Sequence, residues 1–358
     1  MERIEWSRKE RVNKKKRKKW WVRGILMGVL AAFLLSGYLI AQVWGALANT
    51  YDPLEQSSKR EGEATLEKPF TILLLGTDAR KVTTNWRADV IILATVNPKK
   101  KSVKMVSIPR DTYVKIANTD KMDKINSAPY YGRKSVNPKG PGPIANTAQT
   151  VEDLLHVPVD YYVKVNFQGF IDVVDALGGV NVNVKFPFSQ EHFGGEVIPF
   201  KPGPKLLNGN EALAYVRMRK QDPRGDLGRN ERQREVMTNL LDRAMSLNTV
   251  TKIDDLLDAV GQNMKLGIKV QDLPKLQSIY QDIPKESIQN MKLKGENKRL
   301  EYWYYIVSNQ ERQRMSNILR KHLELDSKPI DQWDVPTADQ ESGTPSGNQG
   351  GMNGTESP

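Results

Sequence analysis

Phe70-Thr-Ile-Leu-Leu-Leu-Gly76 and Val90-Ile-Ile-Leu-Ala-Thr-Val96 decide the fold. Each is a short, nearly unbroken apolar run bounded by turn-forming residues, which reads as a buried strand. Val103-Lys-Met-Val-Ser-Ile108 reads as a third strand. Asn146 to His156 has helical patterning, and Tyr161-Tyr-Val-Lys-Val165 is again strand-like. Phe167, Phe170, Ile171, Val174 and Leu177 recur at helical spacing, and Gly178-Gly179 stops that helix. Val180 to Phe186 alternates as a strand does. A long amphipathic helix is expected over 229–245, with shorter helical stretches near 252–262 and 272–281. Tyr302-Trp-Tyr-Tyr-Ile-Val307 is a late strand and 309–323 a last helix. Strands alternating with helices point to an α/β sandwich.

The flanks of this globular pattern differ in kind. No charged residue occurs from Gly24 to Tyr51, and Ile25-Leu-Met-Gly-Val-Leu-Ala-Ala-Phe-Leu-Leu35 is strongly apolar. At about 1.5 Å per residue such a segment can cross a hydrocarbon core of about 30 Å. Trp20, Trp21, Tyr38 and Trp44 lie near its ends, where interfacial aromatics sit. Ten Lys and Arg residues between Arg8 and Arg23 precede it, which predicts a cytoplasmic N-terminus and everything else outside. A cleaved signal peptide is the alternative; the apolar span is longer than the usual h-region of about 7–15 residues. The same basic run accounts for much of the net charge of +12, so it says little about the folded part. The expected organisation is a basic cytoplasmic arm (1–23), a transmembrane helix (24–47), a stalk (48–68), an extracellular catalytic domain (69–325, with its motifs in 70–246) and a disordered tail (326–358). The chain has no cysteine, which excludes disulfides and thiolate chemistry, and its three histidines are far apart.

Candidate chemistry sits at strand ends, where α/β sheets bind ligands. Leu75-Gly-Thr-Asp78 puts a carboxylate just after one strand, and Arg87-Ala-Asp89 puts another just before the next. Together they could hold Mg²⁺, which takes oxygen ligands, or they could be loop carboxylates capping turns. Ser107-Ile-Pro-Arg-Asp111 ends a strand with a guanidinium able to grip phosphate and an acid able to orient it, or with a surface ion pair. In Ala214-Tyr-Val-Arg217-Met-Arg219, read as extended, the two arginines project from one face. Beyond Asp226, the helical stripe of Val236, Met237, Leu240, Leu241 and Ala244 runs back onto Arg229, Arg232 and Gln233. Its buried face therefore begins with groups that need either internal carboxylates or a bound anion, and the helix N-terminus adds positive potential. Carboxylates for a divalent cation plus several arginines for phosphate oxygens make a pyrophosphate site. No P-loop and no Gly-x-Ser-x-Gly elbow occurs.

These motifs, in this order, resemble the LytR-CpsA-Psr family of cell-envelope proteins. The matching stretches are Ile72 to Asp78, Arg87-Ala-Asp89, Ser107 to Asp111, Lys124-Ile-Asn-Ser-Ala128, Leu177-Gly-Gly-Val180 and Leu207-Asn-Gly209 through Gln233. The resemblance implies a three-layer α/β/α sandwich with a central mixed sheet and a hydrophobic tunnel for a polyprenyl chain. It implies transfer of an anionic glycopolymer, such as wall teichoic acid or capsule, from a polyprenyl-pyrophosphate carrier to peptidoglycan. By motif, Asp78 and Asp89 hold Mg²⁺ (or Mn²⁺), and Arg110, Arg217, Arg219 and Arg229 bind the pyrophosphate with Gln233. Arg232 counts with this arginine set and Asp226 supports it, Asp111 or Asp89 serves as base, and Lys124 and Arg87 are additional contacts. The insert from Tyr130 to Ile144 departs from the glycine-rich run usual after Lys-Ile-Asn. Two further readings are a polyprenyl-pyrophosphate phosphatase and a membrane-bound transcriptional regulator. The second needs a cytoplasmic DNA-binding module, and residues 1–23 are too short to fold one, so no specific nucleic acid is expected. A binding protein without catalysis is a third.

Overall fold

A computed structural model describes residues 51–78, 86–192, 195–245 and 263–336 of the chain. The two apolar runs form the middle of the main sheet. Phe70–Thr77 (β1) pairs antiparallel with Ala88–Asn97 (β2), which pairs antiparallel with Ser102–Ser107 (β3). Tyr113–Lys115 (β4) and Met122–Lys124 (β5) form a small hairpin beside it, followed by the single turn Ala128–Tyr131 (α1) and the helix Pro143–Leu155 (α2). Tyr161–Asn166 (β6) lies parallel to β1 and runs straight into Phe167–Ala176 (α3). Val180–Val184 (β7) pairs with Gly203–Leu207 (β10), and Phe188–Glu191 (β8) with Val197–Phe200 (β9). Gly209–Arg217 (α4) and Asp226–Met245 (α5) follow. The described chain ends with Met264–Leu266 (β11), Leu273–Gln281 (α6), Ile288–Lys292 (β12), the hairpin Glu296–Arg299 (β13) and Trp303–Ile306 (β14), and Asn309–His322 (α7).

The main sheet has the order β11-β6-β1-β2-β3-β12. It is mixed, with β6, β1, β3 and β12 running one way and β2 and β11 the other. The C-terminal ends of β6, β1 and β3 and the start of β2 therefore share one edge. Side chains alternate across the sheet. Leu73, Leu75, Leu93 and Val106 pack against Val151 and Leu154 of α2 and Met315 and Leu319 of α7. Ile72, Ile92 and Met105 face the other way, toward Leu273, Leu276 and Ile279 of α6 and Met237 of α5. Burying such an aliphatic side chain stabilises the fold by about 1.5–3 kcal/mol, so neither face can be left open. A separate core joins α3, α4, α5 and the β7–β10 strands around Val174, Leu213, Tyr215 and Val236.

Three expectations are revised and one is refined. Ala214 to Arg217 is not extended but is the last turn of α4, because Asn208 and Glu211 form a reciprocal capping box that starts a helix. The late strand expected at Tyr302 to Val307 is present as β14, Trp303–Ile306, and pairs in a side hairpin. Residues 52–68 are not a free stalk as far as they are described. Arg60 is buried and bonded to the buried Asp160, whose carboxylate also accepts from the Thr71 backbone N–H at 2.8 Å. The tail also begins later than 326. Ile330 and Trp333 are buried, and Arg312, itself buried in α7, stacks 3.4 Å from the Trp333 ring centroid and donates to Leu154, Asp153 and Asp331 carbonyls. The expected span 24–47, the helix near 252–262 and the tail beyond 336 lie outside the described residues. No described helix is long and apolar enough to cross a membrane.

Candidate active site

The shared sheet edge is where the sequence placed its chemistry. β1 and β2 pair regularly as far as Gly76 with Val90, then slip so that Thr77 faces Ala88. Asp89 is thus the extra residue of a β-bulge, a device that bends a strand and re-aims the unpaired side chain. Its carboxylate accepts from Arg110 Nη1 at 2.6 Å. Arg110 Nε stands 3.6 Å from Asp111 Oδ2, and Lys124 Nζ donates to Asp111 Oδ1 at 2.8 Å. The four groups alternate in sign and are all half-buried, so they hold one another in place while still reaching solvent. The loop is fixed from behind: Asn126 N donates to Arg110 O at 3.2 Å and Ile125 N to Thr112 O at 2.9 Å. Asn126 is buried, and its side-chain oxygen has no partner. Asp78, the first residue beyond β1, is exposed, and the adjacent Thr77 hydroxyl is buried with no partner. Arg87 is exposed ahead of β2.

The arginine segment reaches the same edge through β6. Thr77 is the register partner of Asn166, the last residue of β6. Asn166 caps α3, its side chain accepting from Gly169 N at 2.8 Å. The next residue, Phe167, lies beneath Arg217, whose guanidinium is 5.0 Å from the ring centroid. Arg217 is therefore placed at the start of α3, one strand from Thr77 and Asp78. The early turns of α5 are held against the same spot. Arg232 donates to the carbonyls of Tyr215, at 3.0 Å, and of Met218, one residue on either side of Val216-Arg217. Arg219 is exposed two residues beyond Arg217, and Asp226 opens α5.

One stripe of α5 expected from the sequence is in fact two. Val236 and Leu240 join the α3–α4 core, and Arg232 continues that line. Met237 faces the main sheet, and Gln233 and Arg229, one and two turns earlier, continue the other line, both half-buried. Arg232 is consequently not a ligand group but a structural one. It is buried and ion-paired with Asp222, a carboxylate with no exposed surface. Burial pushes the Asp222 pKa upward, but the Arg224 backbone N–H and the Arg232 guanidinium outweigh it and leave the acid below its ordinary range. Gly228 leaves the room for Asp222, since a Cβ there would collide with that carboxylate.

Sequence reasoning missed Lys164. It sits on the face of β6 that carries the buried Tyr162 and Asn166, opposite Leu75 of β1. Its ammonium lies 4.6 Å from the Trp86 ring centroid, just ahead of Arg87 and Asp89. Burial, reinforced by Lys265 on the neighbouring strand, lowers its pKa to about 8. The signal was available, because strand alternation puts residue 164 on the inner face. Two cavities lie elsewhere. One of 490 Å³ is bounded by Phe186, Phe188, Tyr215 and the Arg232–Glu235 side of α5, and one of 660 Å³ by the β4–β5 turn and residues 331–334. Both have mixed polar walls, so neither is the apolar tunnel that the resemblance implies.

Carboxylates and guanidinium groups at the strand ends of a mixed sheet define an α/β protein whose sheet edge has the chemistry to take a phosphorylated ligand. The chain belongs to the LytR-CpsA-Psr family, whose model matches residues 38–321. It is 36% identical over 311 residues, 84% of this chain and 97% of the relative, to the polyisoprenyl-teichoic acid–peptidoglycan teichoic acid transferase TagU of Halalkalibacterium halodurans. It is 38% identical to the TagU of Bacillus subtilis, across 84% of this chain and 94% of the relative. Among solved structures, TagT bound to LI-WTA superposes with a TM-score of 0.62 at 34% identity, covering 76% of this chain and all of that one. B. subtilis TagV gives 0.63 at 35% identity, over 73% of this chain and all of that one.

Proposed function

We propose that the chain is a transferase that moves a teichoic-acid-type glycopolymer from a polyprenyl-pyrophosphate carrier onto peptidoglycan, outside the cell, anchored by the span 24–47. The observation that carries this reading is the single sheet edge that bears Asp78, Asp89 and Arg110, with Arg217 beside it on Phe167 at the start of α3. The names of the relatives supply the polymer and the acceptor. A sugar hydroxyl of the acceptor attacks the phosphorus that carries the polymer, and polyprenyl phosphate leaves. Arg110 and Arg217 approach the pyrophosphate from two sides, with Arg219, Arg229 and Gln233 on the α5 side. They offset charge that grows on the phosphate oxygens, and because the protein already holds them they need little reorganisation. Asp89 or Asp111 takes the hydroxyl proton, and each is already oriented by a cation.

The oxygen donors at the edge fit a hard divalent cation: the Asp78 and Asp89 carboxylates and the unpartnered Thr77 hydroxyl. Among the described residues no three acids or histidines cluster, which suits an ion such as Mg²⁺ that keeps waters and substrate oxygens in its shell. When bound, such an ion neutralises pyrophosphate charge. Solvent extraction of the full chain purified from membranes tests the substrate class. A co-purified polyprenyl phosphate or pyrophosphate, seen by mass spectrometry, is expected. Extracts that hold only bulk phospholipid, from protein that transfers nothing from lipid-linked donor, would overturn the proposal.

A further inference from the structure

Resting on that transferase reading, we propose that a strip of tyrosines beside Asp111 and Lys124 is the acceptor subsite and takes a glycan strand by stacking its sugar rings. The strip starts at the ion network itself. Lys124 Nζ, bonded to Asp111, also lies 5.5 Å from the ring centroid of Tyr304. Tyr305 N donates to Asp111 O at 2.8 Å, which ties the β13–β14 hairpin to the active edge. Tyr304 meets Tyr113 edge to face with centroids 5.1 Å apart. At the hairpin tip Tyr302 is 59% exposed. On the other side of Lys124, Tyr131 donates to Asp123 Oδ2 at 3.1 Å and meets Tyr130, itself 44% exposed, edge to face at 5.2 Å.

Asp123 lies between the two halves. Burial raises the pKa of both Tyr131 and Tyr304, and the Asp123 charge raises both further, so both phenols stay protonated as donors. Tyr304 is itself buried, so the rings open to solvent are Tyr302 and Tyr130, one on each side of Asp123, and open rings flanking a carboxylate match a sugar chain. The apolar C–H face of a pyranose packs on an aromatic ring, whose face is electron-rich, and its hydroxyls bond to carboxylate and phenol groups. A strand lying along the strip brings a ring hydroxyl to its Asp111 end, where the proposed attack begins. Tyr130 opens the insert 130–144 that departs from the family pattern, so the strip also gives that insert a use.

The test is acceptor titration with the full detergent-solubilised chain, lipid-linked teichoic acid at saturation, and un-crosslinked peptidoglycan glycan strands as acceptor. Tyr302→Ala and Tyr130→Ala should each raise the half-saturating strand concentration about three- to tenfold, the range one aromatic contact supplies. The half-saturating donor concentration should not move. Trp303→Ala is the control. It is equally exposed, but strand alternation turns it to the opposite face of β14, and it should leave both values unchanged. Wild-type chain that transfers nothing to the strands refutes the transferase reading. Wild-type transfer with unaltered strand saturation in both tyrosine variants refutes the strip alone. An effect confined to donor saturation, and present only with added anionic phospholipid, assigns the strip to the membrane surface and also refutes it.

Discussion

Arg232–Asp222 and Arg110–Asp89 are the same chemical pair in two settings. The first is sealed, with side-chain exposures of 6% and 0%, and its arginine spends its remaining donors on the Tyr215 and Met218 carbonyls. The second stands at the sheet edge, with exposures of 30% and 25%, and belongs to a chain of alternating charges. A sealed pair with satisfied donors has nothing left to offer a ligand. A half-open pair can exchange part of its bonding for phosphate oxygens at little cost. Accessibility and the other hydrogen bonds, rather than residue type, separate the arginine that builds the fold from the arginine left able to take a ligand.

The sealed pair should give the largest effect. Replacing Asp222 by Ala leaves a buried guanidinium uncompensated, which costs about 3–5 kcal/mol. Denaturant unfolding should show that loss, while transfer per folded molecule stays near wild type. The Asp222 pKa is depressed on folding, so its contribution is full above the unfolded value of about 3.9 and disappears as pH falls through the folded value. The difference in stability between wild type and Asp222→Ala should accordingly narrow in acid. Arg110→Ala should behave in the opposite way. Transfer should fall about 10²–10³-fold, some 3–4 kcal/mol of transition-state stabilisation, with little change in unfolding. Equal stability losses in both variants would erase the distinction.

Lys164 gives the smallest effect and sharpens the same contrast, as a buried cation packed against an aromatic ring, its charge opposed by burial and Lys265 and favoured by Asp52. Its folded pKa, lowered from 10.5 to about 8, means that the folded state disfavours the charge. Stability is reduced at all pH below about 8 and recovers as pH rises from there toward the unfolded value. Lys164→Met should stabilise the protein at pH 7 by about 2 kcal/mol, with the gain fading in alkali, as thermal unfolding across pH can show.

Much of this was legible in the sequence, and the limits have physical causes. The two central strands are apolar on both faces, so β1 and β2 could be read from composition alone. The Gly178-Gly179 stop was equally plain, since both adopt positive φ, which a side chain disfavours. The short strands β4, β8, β9 and β11 carry no period long enough to see. Arg232 was misassigned because its neutralising acid, Asp222, lies in a loop ten residues earlier, and helical spacing cannot reveal that contact. The aim of Asp89 depends on a one-residue bulge, a property of pairing that neither strand shows by itself.

Binding from both sides of one pyrophosphate predicts coupling between Arg110 and Arg217. The direct measurement is a double-mutant cycle on kcat/KM for transfer, using Arg110→Ala, Arg217→Ala and the double variant. Non-additivity of about 1 kcal/mol or more is expected, because each guanidinium completes the grip of the other. Losses that simply add, within about 0.5 kcal/mol, would mean that the two arginines serve separate sites and would contradict the account.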